Sequence, residues 1–386
     1  MKKEYQICTR CVIDSRIKDV KFDSNGVCNY CTEFLKNSSH ILDKDPEVQK
    51  KELDAFIAKV KKSGKGKQYD CVVGVSGGVD SSWALVQAVK LGLRPLAVHM
   101  DNGWNSELAQ NNIENLVRGL GLDLFTYVID WEEYKALMQA FFDADVIDIE
   151  LLYDNAMAAV INKQASQHGL RYILTGVNKA TEGIPLPKDW VWNKSDKKNI
   201  VGIAKKFGNI KLKSFPSKGT WNWMWYHYVK LIQMTPFLDY FPYNKFESLK
   251  VLQEEYSYKP YPYKHYESIF TRFYQGYILP EKFGVDKRMI HLATLVAAKQ
   301  MTREDALKDL EKIPYPSQRD LEDDKEYFLK KMGWTEKQLS DYLKRDPVPH
   351  DTYPSEIAFY NFAASLPELF PESLRKSITN LVKSKR

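Results

Sequence analysis

Seven consecutive residues, Ser76-Gly77-Gly78-Val79-Asp80-Ser81-Ser82, carry the sharpest chemical signal in this chain. They follow an apolar run, residues 69–75, that reads as a buried strand, and they lead into residues 80–91, which read as a helix. Glycines at 77 and 78 let the backbone approach an anion and take conformations that a Cβ forbids. The helix that follows offers unpaired N–H groups and the positive end of its dipole. The hydroxyls of Ser76, Ser81 and Ser82 add further donors. Together they make a pyrophosphate cradle. An ordinary glycine-rich turn is the bland alternative, but it leaves strand, motif and helix in register unexplained. The Gly-Lys-Ser/Thr ending of a Walker A loop is missing, so no lysine is poised at the β and γ phosphates.

Cys8-Thr9-Arg10-Cys11 and Cys28-Asn29-Tyr30-Cys31 are two Cys-x-x-Cys units with 16 residues between them. That spacing suits a zinc site, in which two knuckles bring four thiolates to a tetrahedral ion at roughly 2.3 Å. A segment of roughly 40 residues needs such a staple to fold. With four protein ligands the Zn2+ is structural. Disulfides and an iron–sulfur cluster are the rival readings. The fifth cysteine, Cys71, lies in an apolar run and reads as a small core hydrophobe.

The elements that must position these groups follow from periodicity. Residues 1–45 hold the cysteine pairs and show little apolar period. Asp45-Pro46 is an N-cap followed by proline at the first helical position, and Leu53, Phe56, Ile57 and Val60 recur at helical spacing. Residues 46–62 therefore predict a helix, and the lysine- and glycine-rich stretch to residue 68 a linker. Strands are predicted over 69–75, 94–100, 124–129 and 172–175, with helices over 80–91, 106–119 and 150–168. This alternation from 69 to 220 predicts an α/β fold with a doubly wound parallel sheet, its ligands outside the carboxyl ends of the strands. Residues 221–386 open on a belt of Trp, Tyr and Phe, and helices are predicted over 287–300, 302–312 and 335–345. The belt reads as core before it reads as a stacking platform.

With 386 residues, 44% apolar and 27% charged, the composition is that of a globular protein of two or three domains. No run of about 18 uncharged apolar residues marks a membrane span, and the first ten residues lack a secretory h-region. The expected setting is cytoplasmic, which opposes disulfides. The net charge of +6 is unevenly placed: nine lysines stand against two aspartates between Lys188 and Lys218. That stretch suits phosphates of a small molecule or of RNA, or is a solvated loop.

The heptapeptide resembles the SGGxDS signature of the PP-loop ATP pyrophosphatases, which split ATP between the α and β phosphates and leave AMP on a substrate oxygen. The resemblance implies that Ser76, Gly77, Gly78, Ser81 and Ser82 hold the departing pyrophosphate and that Asp80 helps bind Mg2+. It also implies that Asp101, in Met100-Asp101-Asn102-Gly103, and Gly176 and Asn178, in Thr175-Gly176-Val177-Asn178, contact the nucleoside or α-phosphate of ATP. Among the nucleophiles such enzymes use, a protein persulfide is opposed by the paired or mid-strand cysteines. No cysteine sits at position 2 or in a GxCxG-like elbow, so ammonia would come from another subunit.

The loop and cysteine pairs, taken with TGVNKATEGIPLP (175–187), Lys264-His265-Tyr266-Glu267-Ser268, FTRF (270–273), GYILPEKFGVDKR and IHLATLV, resemble the N-acetyl sugar amidotransferases of bacterial surface-polysaccharide biosynthesis. The resemblance runs from residue 8 to about 315, and the 264–293 block discriminates. It implies adenylation of the acetamido oxygen of a nucleotide-linked N-acetyl sugar and its replacement by ammonia from glutaminase- and cyclase-like subunits. In that reading Glu182 and Glu267 orient sugar or ammonia, and Lys264, His265 and Arg272 bind the sugar diphosphate. The runner-up is a tRNA-modifying PP-loop enzyme; a noncatalytic nucleotide-binding regulator stands third. A nucleic-acid partner is not expected under the first reading.

Overall fold

The computed structural model describes residues 5–208, 210–262 and 266–365. Five parallel strands form one sheet: β1 (Cys71–Gly74), β2 (Pro95–Asp101), β3 (Leu124–Val128), β4 (Tyr172–Thr175) and β5 (Gln233–Pro236), in the spatial order β3-β2-β1-β4-β5. Strands β1 and β2 are near-continuous apolar runs because helices cover both faces of the sheet. Alternate residues accordingly enter different cores. Cys71 and Val73 pack with one apolar cluster, and Val72 packs with the other.

Helices α1 (Asn29–Leu42), α2 (Pro46–Gly64), α3 (Val79–Lys90), α4 (Glu107–Leu120), α5 (Trp131–Asp143), α6 (Leu151–Gln167) and α7 (Lys179–Glu182) complete the N-terminal half. The expected cap of α2 is present, with the Asp45 carboxylate accepting from the Glu47 and Val48 amides. Apolar residues of α2, α3 and α4 pack on one face of the sheet, and those of α5 and α6 on the other. The chain winds β1 to β2 to β3 in one direction, then crosses to β4 on the far side of β1. The order therefore reverses between β1 and β4, and that switch point is where such sheets bind ligands.

Several elements differ from the sequence expectation, among them three helices and a strand. Residues 29–42 form α1 despite their weak apolar period; the Cys28 sulfur accepts from Cys31 N at its N-terminus, and only Tyr30, Cys31, Phe34 and Ser38 of the helix are buried. Helix α5 and a helix over Gln318–Met332 were not expected; Asp130 and Ser317 cap them. Strand β5 lies beyond residue 220, where the sequence placed the end of the sheet domain. It is a short edge strand ending in proline, so it lacks a strand's usual apolar signature.

The C-terminal part is mostly helical, as expected. Trp104 is fully buried against Trp131, Phe270 and Phe328, with ring centroids 5.5 to 6.1 Å apart. Each such aromatic pair adds about 0.5–1.5 kcal/mol beyond its buried area. These rings fasten the C-terminal helices onto the β2–α4 connection.

Candidate active site

A cleft of about 680 Å³ opens at the switch point, lined by Ser76, Gly78, Asp80, Ser81, Gly176, Glu182 and Glu267 among others. The loop from 76 to 82 forms one wall. Gly77 has φ +86°, and a Cβ there would stand 3.0 Å from the Ala109 carbonyl. Gly78 is the N-cap of α3. The Ser76 and Ser81 hydroxyls are 3.2 Å apart, and Ser76 Oγ accepts from the Gly78 amide at 3.3 Å. Donors thus converge at the start of a helix, the arrangement an anion requires. Gly176, directly after β4, abuts the same loop: a Cβ there would lie 2.6 Å from Ser81 N and the Asp80 carbonyl carbon.

Asp80 faces the cleft from the first turn of α3. Its Oδ1 accepts from the Tyr243 hydroxyl at 2.5 Å and its Oδ2 from the Thr181 hydroxyl at 3.0 Å. Burial, followed by the Asp80 charge, pushes the Tyr243 hydroxyl well above its ordinary pKa, so it stays a donor. Asn178 caps α7, accepting from Thr181 N at 2.9 Å and donating to the Gly176 carbonyl at 2.9 Å. It is buried behind the cleft wall, where it places Thr181 against Asp80.

The C-terminal segment closes the cleft from the other side. Ser106 N donates to the Glu267 carbonyl at 2.9 Å, Ser268 bridges Asn105, and Ile269 N donates to the Trp104 carbonyl at 2.8 Å. The Glu267 carboxylate is thereby held over the loop, 3.0 Å from where a Cβ on Gly78 would be. The Tyr258 and Tyr261 hydroxyls both donate to the Gly77 carbonyl, at 2.8 and 3.2 Å. Two members of the aromatic belt therefore brace the loop. Opposite, Lys194 pairs with Asp148 and Asp154 at 2.8 and 3.0 Å, and Lys287 with Glu150 at 2.5 Å.

Other expected site residues stand elsewhere. The Ser82 side chain is buried in α3. Asp101 Oδ1 accepts from the Gly103 amide at 2.8 Å, and Asp101 borders a side groove of about 320 Å³ between β3 and α4. Its neighbours Asn102 and Asn105 line the main cleft instead. His99 holds Asn105: its Nδ1–H donates to the Val75 carbonyl at 2.9 Å, and Nε2 takes the Asn105 amide at 3.0 Å. Burial pulls the His99 pKa down, which favours this neutral tautomer. The Arg272 guanidinium forms a fork with Asp324, lies 5.4 Å from the Tyr266 ring centre, and lines a second cleft of about 240 Å³. Lys264 and His265 lie outside the described residues.

The four paired cysteines are buried, and all four sulfurs lie within 4.8 Å of one another. Cys8 and Cys31 Sγ are 4.0 Å apart, and Cys11 and Cys28 Sγ 3.7 Å. These exceed a disulfide bond of about 2.05 Å, and the cysteines are free. They match the edges of a tetrahedron with bonds of roughly 2.3 Å. Amides of Arg10, Cys11 and Cys28 donate to Cys8 Sγ, and Ile13 N to Cys11 Sγ, which stabilises thiolate. The donor set fits a single tetrahedral metal ion. Arg303 donates to the Cys8 and Cys11 carbonyls and ties this module to the C-terminal helices.

Residues 267–366 match the family described as LPS biosynthesis protein WbpG-like, C-terminal domain. Over 128 residues the chain is 31% identical to the uncharacterized protein MJ1599 of Methanocaldococcus jannaschii, covering 33% of this chain and 44% of that protein. The chain thus spans less than half the length of that relative. Among solved structures, it resembles NMN synthetase from Francisella tularensis (TM-score 0.29, 16% identity, 56% of this chain and 98% of that one). It also resembles the NH3-dependent NAD synthetase of Campylobacter jejuni (TM-score 0.28, 15% identity, 66% and 96%).

Proposed function

We propose that this chain is an ATP-consuming amidotransferase of lipopolysaccharide biosynthesis. It adenylates the acetamido oxygen of a nucleotide-linked N-acetyl sugar and replaces that oxygen with ammonia nitrogen, giving an acetamidino sugar. One observation carries the reading: the Ser76–Ser82 loop and Glu267, the first residue of the WbpG-like match, meet in one cleft at the sheet's switch point.

The chemistry explains the equipment. An amide carbonyl is a poor electrophile, and hydroxide leaves poorly. The carbonyl oxygen attacks the α-phosphorus of ATP, a P–O bond forms, and pyrophosphate departs. Ammonia then gives its lone pair to the imidate carbon, loses a proton to a carboxylate, and the C–O bond breaks with its electrons on AMP. Residues 76–81 and the α3 N-terminus hold the pyrophosphate. Asp80, whose carboxylate faces the cleft, would hold magnesium, which neutralises phosphate charge. Glu182 and Glu267, both in the cleft, orient ammonia and take its proton. Gly176 and Asn178 shape the α-phosphate side; Asn102 and Asn105 join Asp101 as candidates for the nucleoside. Arg272, with Lys264 and His265, serves the sugar diphosphate. Zinc at Cys8, Cys11, Cys28 and Cys31 is structural. Cys71, the first residue of β1, is fully buried with its thiol pKa pushed up by that burial, so it supplies no nucleophile. A glutaminase- and cyclase-like partner therefore provides ammonia.

The tRNA-modifying alternative leans on the lysines between 188 and 218, but Lys194 turns inward to Asp148 and Asp154, and Lys218 is buried. The test is a ¹⁵N experiment on the lone chain with ATP, magnesium and nucleotide sugar. Ammonium should give labelled amidine, AMP and pyrophosphate, faster as pH rises because only unprotonated ammonia is nucleophilic. Amide-labelled glutamine should give none until a partner is added. ADP as product, or label from glutamine without a partner, contradicts the proposal.

A further inference from the structure

The helix Thr220–Met224 and the turns Trp225–Val229 that continue it expose large apolar side chains in sequence. Trp221 is 70% exposed, Trp225 51% and Val229 56%. Phe362, on the helix Ile357–Ser365, is 56% exposed. These helices are joined: Trp221 meets Phe359 at 5.0 Å, Trp223 meets Tyr360 at 5.2 Å, and the Tyr228 hydroxyl donates to the Ala363 carbonyl. Single exposed apolar residues need no explanation, but a contiguous aromatic face marks an interaction surface.

Its rim is basic. The Glu356 carboxylate accepts from Lys198 N at 3.2 Å and Thr220 N at 3.1 Å, so the lysine-rich helix Lys197–Ile203 starts beside the aromatic one. Lys198 is exposed, and Lys230 lies 5.7 Å from the centre of the Trp225 ring. Residues 366–386, which follow the helix bearing Phe362, lie outside the described structure.

We propose that this face docks the protein on an anionic membrane surface. Trp and Tyr favour the water–lipid boundary, and lysines attract acidic headgroups. Among the described residues no helix is long and apolar enough to cross a membrane, so the association is peripheral. The inference stands apart from the reaction proposed above, because none of these residues lines the cleft.

The test is co-sedimentation of the full chain with vesicles of phosphatidylglycerol and phosphatidylethanolamine, against phosphatidylcholine alone. Binding is expected to the anionic vesicles only, to weaken in high salt, and to fall roughly tenfold in the double variant Trp221→Ser, Trp225→Ser. A thermal melt like that of the wild type shows that this variant folds. No binding, equal binding to both vesicles, or an unchanged double variant overturns the proposal. So does a double variant that loses a partner subunit, or bound tRNA, while vesicle binding is absent.

Discussion

The Tyr243 hydroxyl donates to Asp80 across 163 residues of sequence, joining the segment after β5 to the first turn of α3. With the Thr181 hydroxyl on the other oxygen, it helps orient the carboxylate at the cleft wall. Tyr243→Phe removes one donor to a charged group, a loss of about 2 kcal/mol. Steady-state kinetics should show kcat/KM for ATP falling roughly 30-fold, with a much smaller change in KM for the sugar. Unchanged ATP kinetics would mean that Asp80 takes no part in nucleotide binding.

The cysteine module reaches the same wall. Phe34 of α1 packs where a Cβ on Gly183, next to Glu182, would lie only 2.3 Å from its Cε2. Plasma mass spectrometry should find one zinc per chain, and Cys28→Ser should release it. Because α1 starts at Cys28, the variant should also lose thermal stability and activity together. Iron with a visible absorption band would sink this assignment.

Acid should destabilise the fold through His350. It is buried, its Nε2 accepting from Asp148 N at 3.2 Å and its Nδ1 bonded to Asn199 Oδ1 at 2.9 Å. Burial holds its pKa at about 4, below the unfolded value of about 6.5. The folded state thus resists a proton that the unfolded chain accepts. The contribution is complete above about pH 6.5 and is lost as pH falls toward 4, up to about 3 kcal/mol. Urea denaturation at a series of pH values should show this slope in the wild type and a shallower one in His350→Gln. Parallel curves would refute it.

Strands β1 to β4 and helix α2 were legible because each carries its own local signal: apolar runs, an Asp-Pro cap, or the glycine loop. Strand β5 was not, since Gln233–Pro236 is a four-residue edge strand held mainly by its ladder to β4. The bracing tyrosines 243, 258 and 261 were hidden for another reason. A tyrosine in an aromatic belt looks the same whether its hydroxyl meets water or a carbonyl more than 180 residues away, as Tyr258 meets Gly77. Asp101 shows the opposite case. A plausible residue at the right strand end turns into its own loop, and the cleft receives Asn102 and Asn105.

The central claim is that AMP is transferred to the substrate's acetamido oxygen. Nucleotide sugar carrying ¹⁸O in that carbonyl, turned over with ATP and ammonium, tests it directly. Mass spectrometry of the nucleotide product should find one ¹⁸O in AMP and none in pyrophosphate. Label retained in the sugar, or found in inorganic phosphate, would contradict adenylation of that oxygen.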